Sequence, residues 1–332
     1  MKNRIHAFDY IRAISIIGIV ICHCCFAFST TDWIGRYLAN SFNFIFLILS
    51  AFLLGMSWEK KGFPQYNINF VSHRIKRLAI VYYPFLIIMF TFLSLVHYSY
   101  TIKDIIIHIT FLQWFKKIDG FGHLWFLTMI VICYIFMYIS IYINKYNWGK
   151  ELIRLLFQSR YTLIIFLPVI LLLQFIAYKF NLPGQIFLYL FLYLVFFMNA
   201  LNILTHIKQI QFRKFVFITI ILNIIALYLF YRGIFEYKII SYPLGCLCGL
   251  SIMGIIYKTV YPLKEIKCVK FISTISFEIY LIHHALCFGR YSVYQLGISP
   301  LIGFIIIMGI SITLGYILHY FSNKLINKIL IL

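Results

Sequence analysis

A chain of 332 residues that is 63% hydrophobic and only 11% charged, with a mean hydropathy of +0.93, lacks the polar surface a soluble core needs; a soluble globular domain is excluded. The net charge of +20 does not make it a nucleic-acid binder, because no DNA- or RNA-binding motif accompanies the cations and they sort by side of a membrane. The predicted fold class is an all-α, polytopic membrane bundle forming a single domain over 1–332. About ten apolar windows are long enough to span: roughly 10–28, 39–57, 79–96, 123–143, 161–178, 185–204, 214–231, 239–257, 270–289 and 298–320.

The first window reads "RAISIIGIVICHCC" and places Arg12 and His23 in an otherwise apolar run. Eleven residues at about 100° each end about 20° past three turns, so both lie on one helix face, about 16 Å apart along the axis. Asp9 precedes Arg12 by three residues and can pair with it. Arg12 either snorkels to the inner headgroups or faces a polar cavity; His23, deeper in the run, needs a neighbouring helix or a site. The following "CHCCFAFSTTDW" has no small-x-small cleavage pattern, so the segment is expected to stay as a signal anchor. Four adjacent residues on a helix cannot converge on one ion, so "CHCC" is not expected to hold metal.

Further along, 58–78 is a long basic loop ending in Arg74, Lys76 and Arg77. In "TIKDIIIHITFLQWF" the residues Ile102, Ile105, Ile109 and Leu112 recur at helical spacing, with Lys103, Asp104 and His108 elsewhere on the wheel; an interfacial helix fits. The fourth window opens with "GHLWFL", placing His123 and Trp125 near the outer interface, where Trp125 also suits an aromatic belt. Only Pro168 and Pro243 fall well inside spans. The ninth window, "SFEIYLIHHALCF", brings His283 to a depth close to that of His23, with Glu278 and Tyr280 available to orient a histidine or hold water. With the N-terminus inside, the Lys/Arg residues divide 20 inside against 8 outside, which predicts cytoplasmic termini.

"RIHAFDYIRAISIIGIVICH", "IFLILSAFLLG", "FVSHRIKRLAIVYYP", "HLWFL…CY" and "ISFEIYLIH" together resemble the signatures of the membrane-bound acyltransferase 3 family, in order along the chain. Ala51 stands where that family usually has glycine. The resemblance implies transfer of an acyl group, typically acetyl from cytosolic acetyl-CoA, to a hydroxyl of an extracytoplasmic glycan or glycolipid, by a multi-pass protein of the cytoplasmic (inner) membrane. Many members carry an extra hydrolase-like domain; the chain as given ends at Leu332, pointing to the stand-alone type.

On that reading His23 is the general base or the acyl relay, with Glu278 and His283 as further catalytic candidates. Arg12, Arg74 and Arg77 are candidates for the CoA phosphates, and His123, Trp125 and Tyr280 for the acceptor. The expected partners are acyl-CoA, the acceptor and membrane lipids, without metal or nucleic acid. Two other readings are an exporter of a glycan with histidines as proton relays, for which broken helices at the midplane would speak, and a scaffold that recruits glycan enzymes.

Overall fold

The computed structural model describes residues 5–28, 31–61, 68–115, 118, 120–159, 161–180, 185–289 and 291–329. Among them no strand occurs and fourteen α-helices follow one another. They are α1 (Ala7–Ala27), α2 (Asp32–Lys61), α3 (Ile68–Leu95), α4 (Ile102–Ile109), α5 (Trp125–Ile143), α6 (Asn147–Ile153) and α7 (Thr162–Lys179). Then come α8 (Gln185–Met198), α9 (Ala200–Gln209), α10 (Phe212–Tyr231), α11 (Lys238–Val260), α12 (Lys267–Thr274), α13 (Ser276–Cys287) and α14 (Pro300–Ile329). The all-α polytopic membrane bundle expected from composition is therefore the observed architecture.

Each of the ten apolar windows is occupied by helix, but not by ten uninterrupted spans. Among the described residues seven helices are long and apolar enough to cross a bilayer on their own: α1, α2, α3, α5 with its preceding turn, α10, α11 and α14. The sixth window is the pair α8 and α9, bent by 81° at Asn199. The Asn199 amide donates to the carbonyls of Phe157 (2.7 Å) and Val195 (2.8 Å). The Glu59 carboxylate accepts the Leu201 N–H at 2.9 Å, satisfying a donor that the first turn of a helix leaves open. The ninth window is split at Ile275 into α12 and α13. Pro168 and Pro243 sit inside continuous helices, so neither bends the chain into a midplane break.

Helices α1 and α2 form the centre, and α11, α13 and α8 pack around them. Small residues permit the closest crossings. A Cβ on Gly249 would stand 2.7 Å from the Ser41 carbonyl oxygen, and one on Gly55 would stand 2.2 Å from that of Phe197. Both neighbours are backbone, so neither crossing has slack, as expected where packing rather than water expulsion holds helices together.

The predicted interfacial helix exists as α4, capped by Thr101 and Asp104 in a reciprocal box, with isoleucines on its outer face and polar residues turned to the protein. Ile102, Ile106 and Ile109 are exposed while Asp104 and His108 are buried. The His108 ring lies against Phe121 (5.2 Å between centroids) and its Nδ1–H donates to the Asp104 carbonyl at 2.7 Å. Gln113 donates to the His108 carbonyl at 3.2 Å, and Thr128 of α5 donates to the carbonyl of Phe111 (2.6 Å) and to Gln113 Oε1 (2.9 Å). With the Tyr82 hydroxyl of α3 donating to the same His108 carbonyl at 3.2 Å, this strut fixes residues 100–115 on α3 and α5, next to the fourth window's His123.

Candidate functional site

Three elements bring four imidazoles together. His23 comes from the C-terminal part of α1, one residue before its last turn, His283 and His284 from adjacent positions of α13, and His123 from the single 3-10 turn that leads into α5. Neighbouring side chains on a helix point about 100° apart, and here His283 and His284 flank His23 from two sides, each with ring centroids 4.9 Å away. His123 stacks on His284 at 4.5 Å with an interplanar angle of 18° and stands 5.3 Å from His283.

The hydrogen bonds set the tautomers. His283 Nδ1 lies 3.1 Å from the Ile279 carbonyl, which can only accept, so the proton is on Nδ1 and the neutral ring keeps a lone pair on Nε2. That Nε2 is 2.9 Å from His23 Nδ1, so His23 donates there and its own lone pair is on Nε2. His284 is held in the same way: its Nδ1–H donates to the Gly120 carbonyl at 2.9 Å. Gly120 has φ +77°, a conformation costly for any residue with a Cβ. Both ring nitrogens of His123 are buried without a hydrogen-bond partner among the described residues.

His23 opens on a cavity of about 330 Å³ whose wall includes Asn40, Asn43, Trp114, Trp125, Gln185 and Ser241. The two indoles lie 5.4 Å apart. At the other end of α1, Arg12 and Arg74 line a second cavity of about 390 Å³ together with Ser50, Tyr134, Thr274 and Ser276. The last two are exposed to it by the break at Ile275. Arg12 also borders a smaller space with Asp9 and Lys60, and the Asp9 carboxylate accepts from Ser273 at 2.9 Å.

Phe46 and Phe126 close the arginine cavity towards the histidines. Both rings lie against Tyr280, at 6.4 and 5.5 Å, and the Tyr280 hydroxyl donates to the His123 carbonyl. An aromatic wall thus separates the two cavities, with Tyr280 touching His123 at 4.9 Å and His283 at 5.9 Å.

Of the expected site residues, His23, His123 and His283 converge, Trp125 lines the cavity that His23 faces, and Arg12 and Arg74 share the second cavity. Tyr280 is fully buried in the wall between them. Arg77 is exposed and does not line the arginine cavity. Glu278 does not join the histidines: Oε1 accepts from His319 Nδ1 of α14 at 2.6 Å, because five residues of helix turn it to the opposite side of α13 from His283. The sequence reading missed His284, although the doublet "HH" was visible, and missed Trp114, Asn40 and Asn43, which no local pattern marks. Among the described residues no group of three or more His, Cys, Asp or Glu is arranged to hold a metal ion; Cys24 instead lies 4.0 Å from Cys287, sulfur to sulfur, on the neighbouring helix.

The sequence model of a family described as an acyltransferase domain, acyltransferase 3, matches residues 5–320. No curated protein and no solved structure was found to match the chain.

Proposed function

The chain belongs to the acyltransferase 3 family and is a membrane acyltransferase, and we propose that it moves an acetyl group from cytosolic acetyl-CoA to a hydroxyl of a glycan or glycolipid on the far side of the cytoplasmic membrane, with His23 as general base. The observation that carries this is the 2.9 Å contact of His23 Nδ1 with His283 Nε2. It leaves the His23 Nε2 lone pair as the basic atom of a side chain that lines the tryptophan cavity.

In this reading Arg12 and Arg74 hold the phosphate-bearing end of the donor through forked hydrogen bonds. Ser50, Tyr134, Thr274 and Ser276 line the path of the amide-bearing arm. Phe46, Phe126 and Tyr280 part to let the thioester reach His23. The indoles of Trp114 and Trp125 offer faces on which a sugar ring stacks. His23 Nε2 takes the proton of the acceptor hydroxyl as that oxygen attacks the thioester carbon. The C–S bond breaks, and the same proton returns to the leaving thiolate, so atoms and charge balance. While His23 is protonated, its Nδ1–H remains bonded to a neutral His283, whose orientation the Ile279 carbonyl fixes. This is the positioning that a base requires.

The test is transfer from labelled acetyl-CoA to a supplied acceptor by purified protein in nanodiscs. His23→Gln keeps a donor and an acceptor but is no base near pH 7. Transfer is expected to fall by about 10²–10⁴-fold with the protein still folded. Near-normal turnover in a well-folded His23→Gln protein removes His23 from the chemistry.

A further inference from the structure

We propose that the tryptophan cavity selects an acceptor that carries a negative charge, a carboxylate or phosphate group on the glycan; this rests on the acyl-transfer reading and adds the substrate class to it. Besides His23, the cavity is lined by Arg36 of α2 and Lys238 at the start of α11. Among the described residues it has no carboxylate in its lining.

A pocket for a neutral sugar needs acceptors for hydroxyl protons as well as donors, and carboxylates are the strongest acceptors a protein has. The charged groups of this lining are instead two cations, beside amides and hydroxyls that donate and accept alike and would serve any sugar. Each cation also has an aromatic ring beside it. The Arg36 guanidinium lies 5.9 Å from the centre of the Phe26 ring, and the Lys238 ammonium 5.3 Å from that of Tyr178. Gln174 of α7 donates to the Lys238 carbonyl at 3.1 Å, anchoring its backbone.

The placement has a packing cause. A Cβ on Gly245 would stand 2.4 Å from the Asn40 side chain, so α2 and α11 approach closely enough for Arg36 and Lys238 to border one space. Cations that only anchor the protein to headgroups have no need to share a cavity with the proposed base. Here an anionic group held between them places a nearby hydroxyl of the same ring, or of the next one, within reach of His23. Fixed charges in a concave, partly dry site also attract the acceptor over its neutral relatives.

The test uses the full chain in phosphatidylcholine nanodiscs and reads the quenching of tryptophan fluorescence as probes enter beside Trp114 and Trp125. The probes are a glucuronate-containing disaccharide, its carboxyl-reduced neutral counterpart, and glucose 1-phosphate. At least one anionic probe is expected to bind about tenfold or more tighter than the neutral sugar, with affinity falling as salt rises. Arg36→Gln combined with Lys238→Gln is expected to abolish that preference. Preference for the glucuronate identifies an acidic sugar as the source of the charge, and preference for the phosphate identifies a phosphate linkage. Equal binding of all three probes, binding of none, or a preference that survives the double substitution overturns the proposal. Binding of labelled CoA, measured in the same samples, reports folding of the double variant. CoA binding and acetyl transfer also test the acyl-transfer reading separately, since the fluorescence titration contains no acyl donor.

Discussion

Arg74 and Arg77 are three residues apart and alike in charge, yet only one of them faces the arginine cavity. If Arg74 holds the donor, Arg74→Gln is expected to weaken CoA binding by about tenfold or more, the size of a lost charge-assisted hydrogen bond. Arg77→Gln should leave it close to normal. Equilibrium binding of labelled CoA to the two variants checks this, and equal losses would return both arginines to the role of topology determinants. Glu278 teaches the same lesson on another helix. Its presence in a span marked it as functional, but its partner is His319 on α14, a pairing no spacing within α13 foretells.

At the scale of elements, α4 is held by a histidine that must stay neutral. Burial of His108 pushes its pKa below the ordinary range, and the hydrogen bond to the Asp104 carbonyl only partly opposes this. In the unfolded chain the same ring titrates near its ordinary value of about 6.5. The lowered folded value means that His108 favours the fold fully above that pH, and that the contribution is lost as pH falls below it towards the folded pKa. Thermal unfolding scanned from pH 7.5 down to about 5 should therefore show a steeper loss of stability in the natural protein than in His108→Gln. Parallel curves would mean that another group sets the acid sensitivity.

The crossing of α2 with α8 gives a second measurement at this scale. Gly55→Ala places a methyl group 2.2 Å from a backbone oxygen. The helices must separate, at a cost of about 1–3 kcal/mol. A lowered melting temperature in detergent or nanodiscs is the readout, and an unchanged one would show that the pair can slide apart freely.

For the whole molecule, the charge division of 20 against 8 and the placement of the two cavities at opposite ends of α1 make one prediction together. Cys268 is the one exposed cysteine among the described residues; with the arginine cavity facing the cytoplasm, it should react with an impermeant thiol reagent only from the inner side of oriented vesicles. Lys103→Cys on α4, placed in a chain with Cys268→Ser, should react only from the outside. Labelling of both from one side would break the assignment of donor and acceptor to opposite faces.

Membership of an all-α membrane bundle, the position of each apolar segment, and the candidacy of Arg12, His23, His123 and His283 were all determined by the sequence alone. These follow from local causes: the cost of polar groups in hydrocarbon, the length a helix needs to cross it, and the 3.6-residue period. Where the ninth segment breaks, which way Glu278 turns, and that His284 completes the cluster were decided only by the tertiary structure. So were the choice of Arg74 over Arg77 and the meeting of Trp114, Arg36 and Lys238 around His23. Those features depend on which helices pack side by side, and that is set by complementary surfaces such as Gly245 against Asn40 and Gly249 against Ser41, whose partners lie some two hundred residues apart in the chain and leave no periodic trace in either segment.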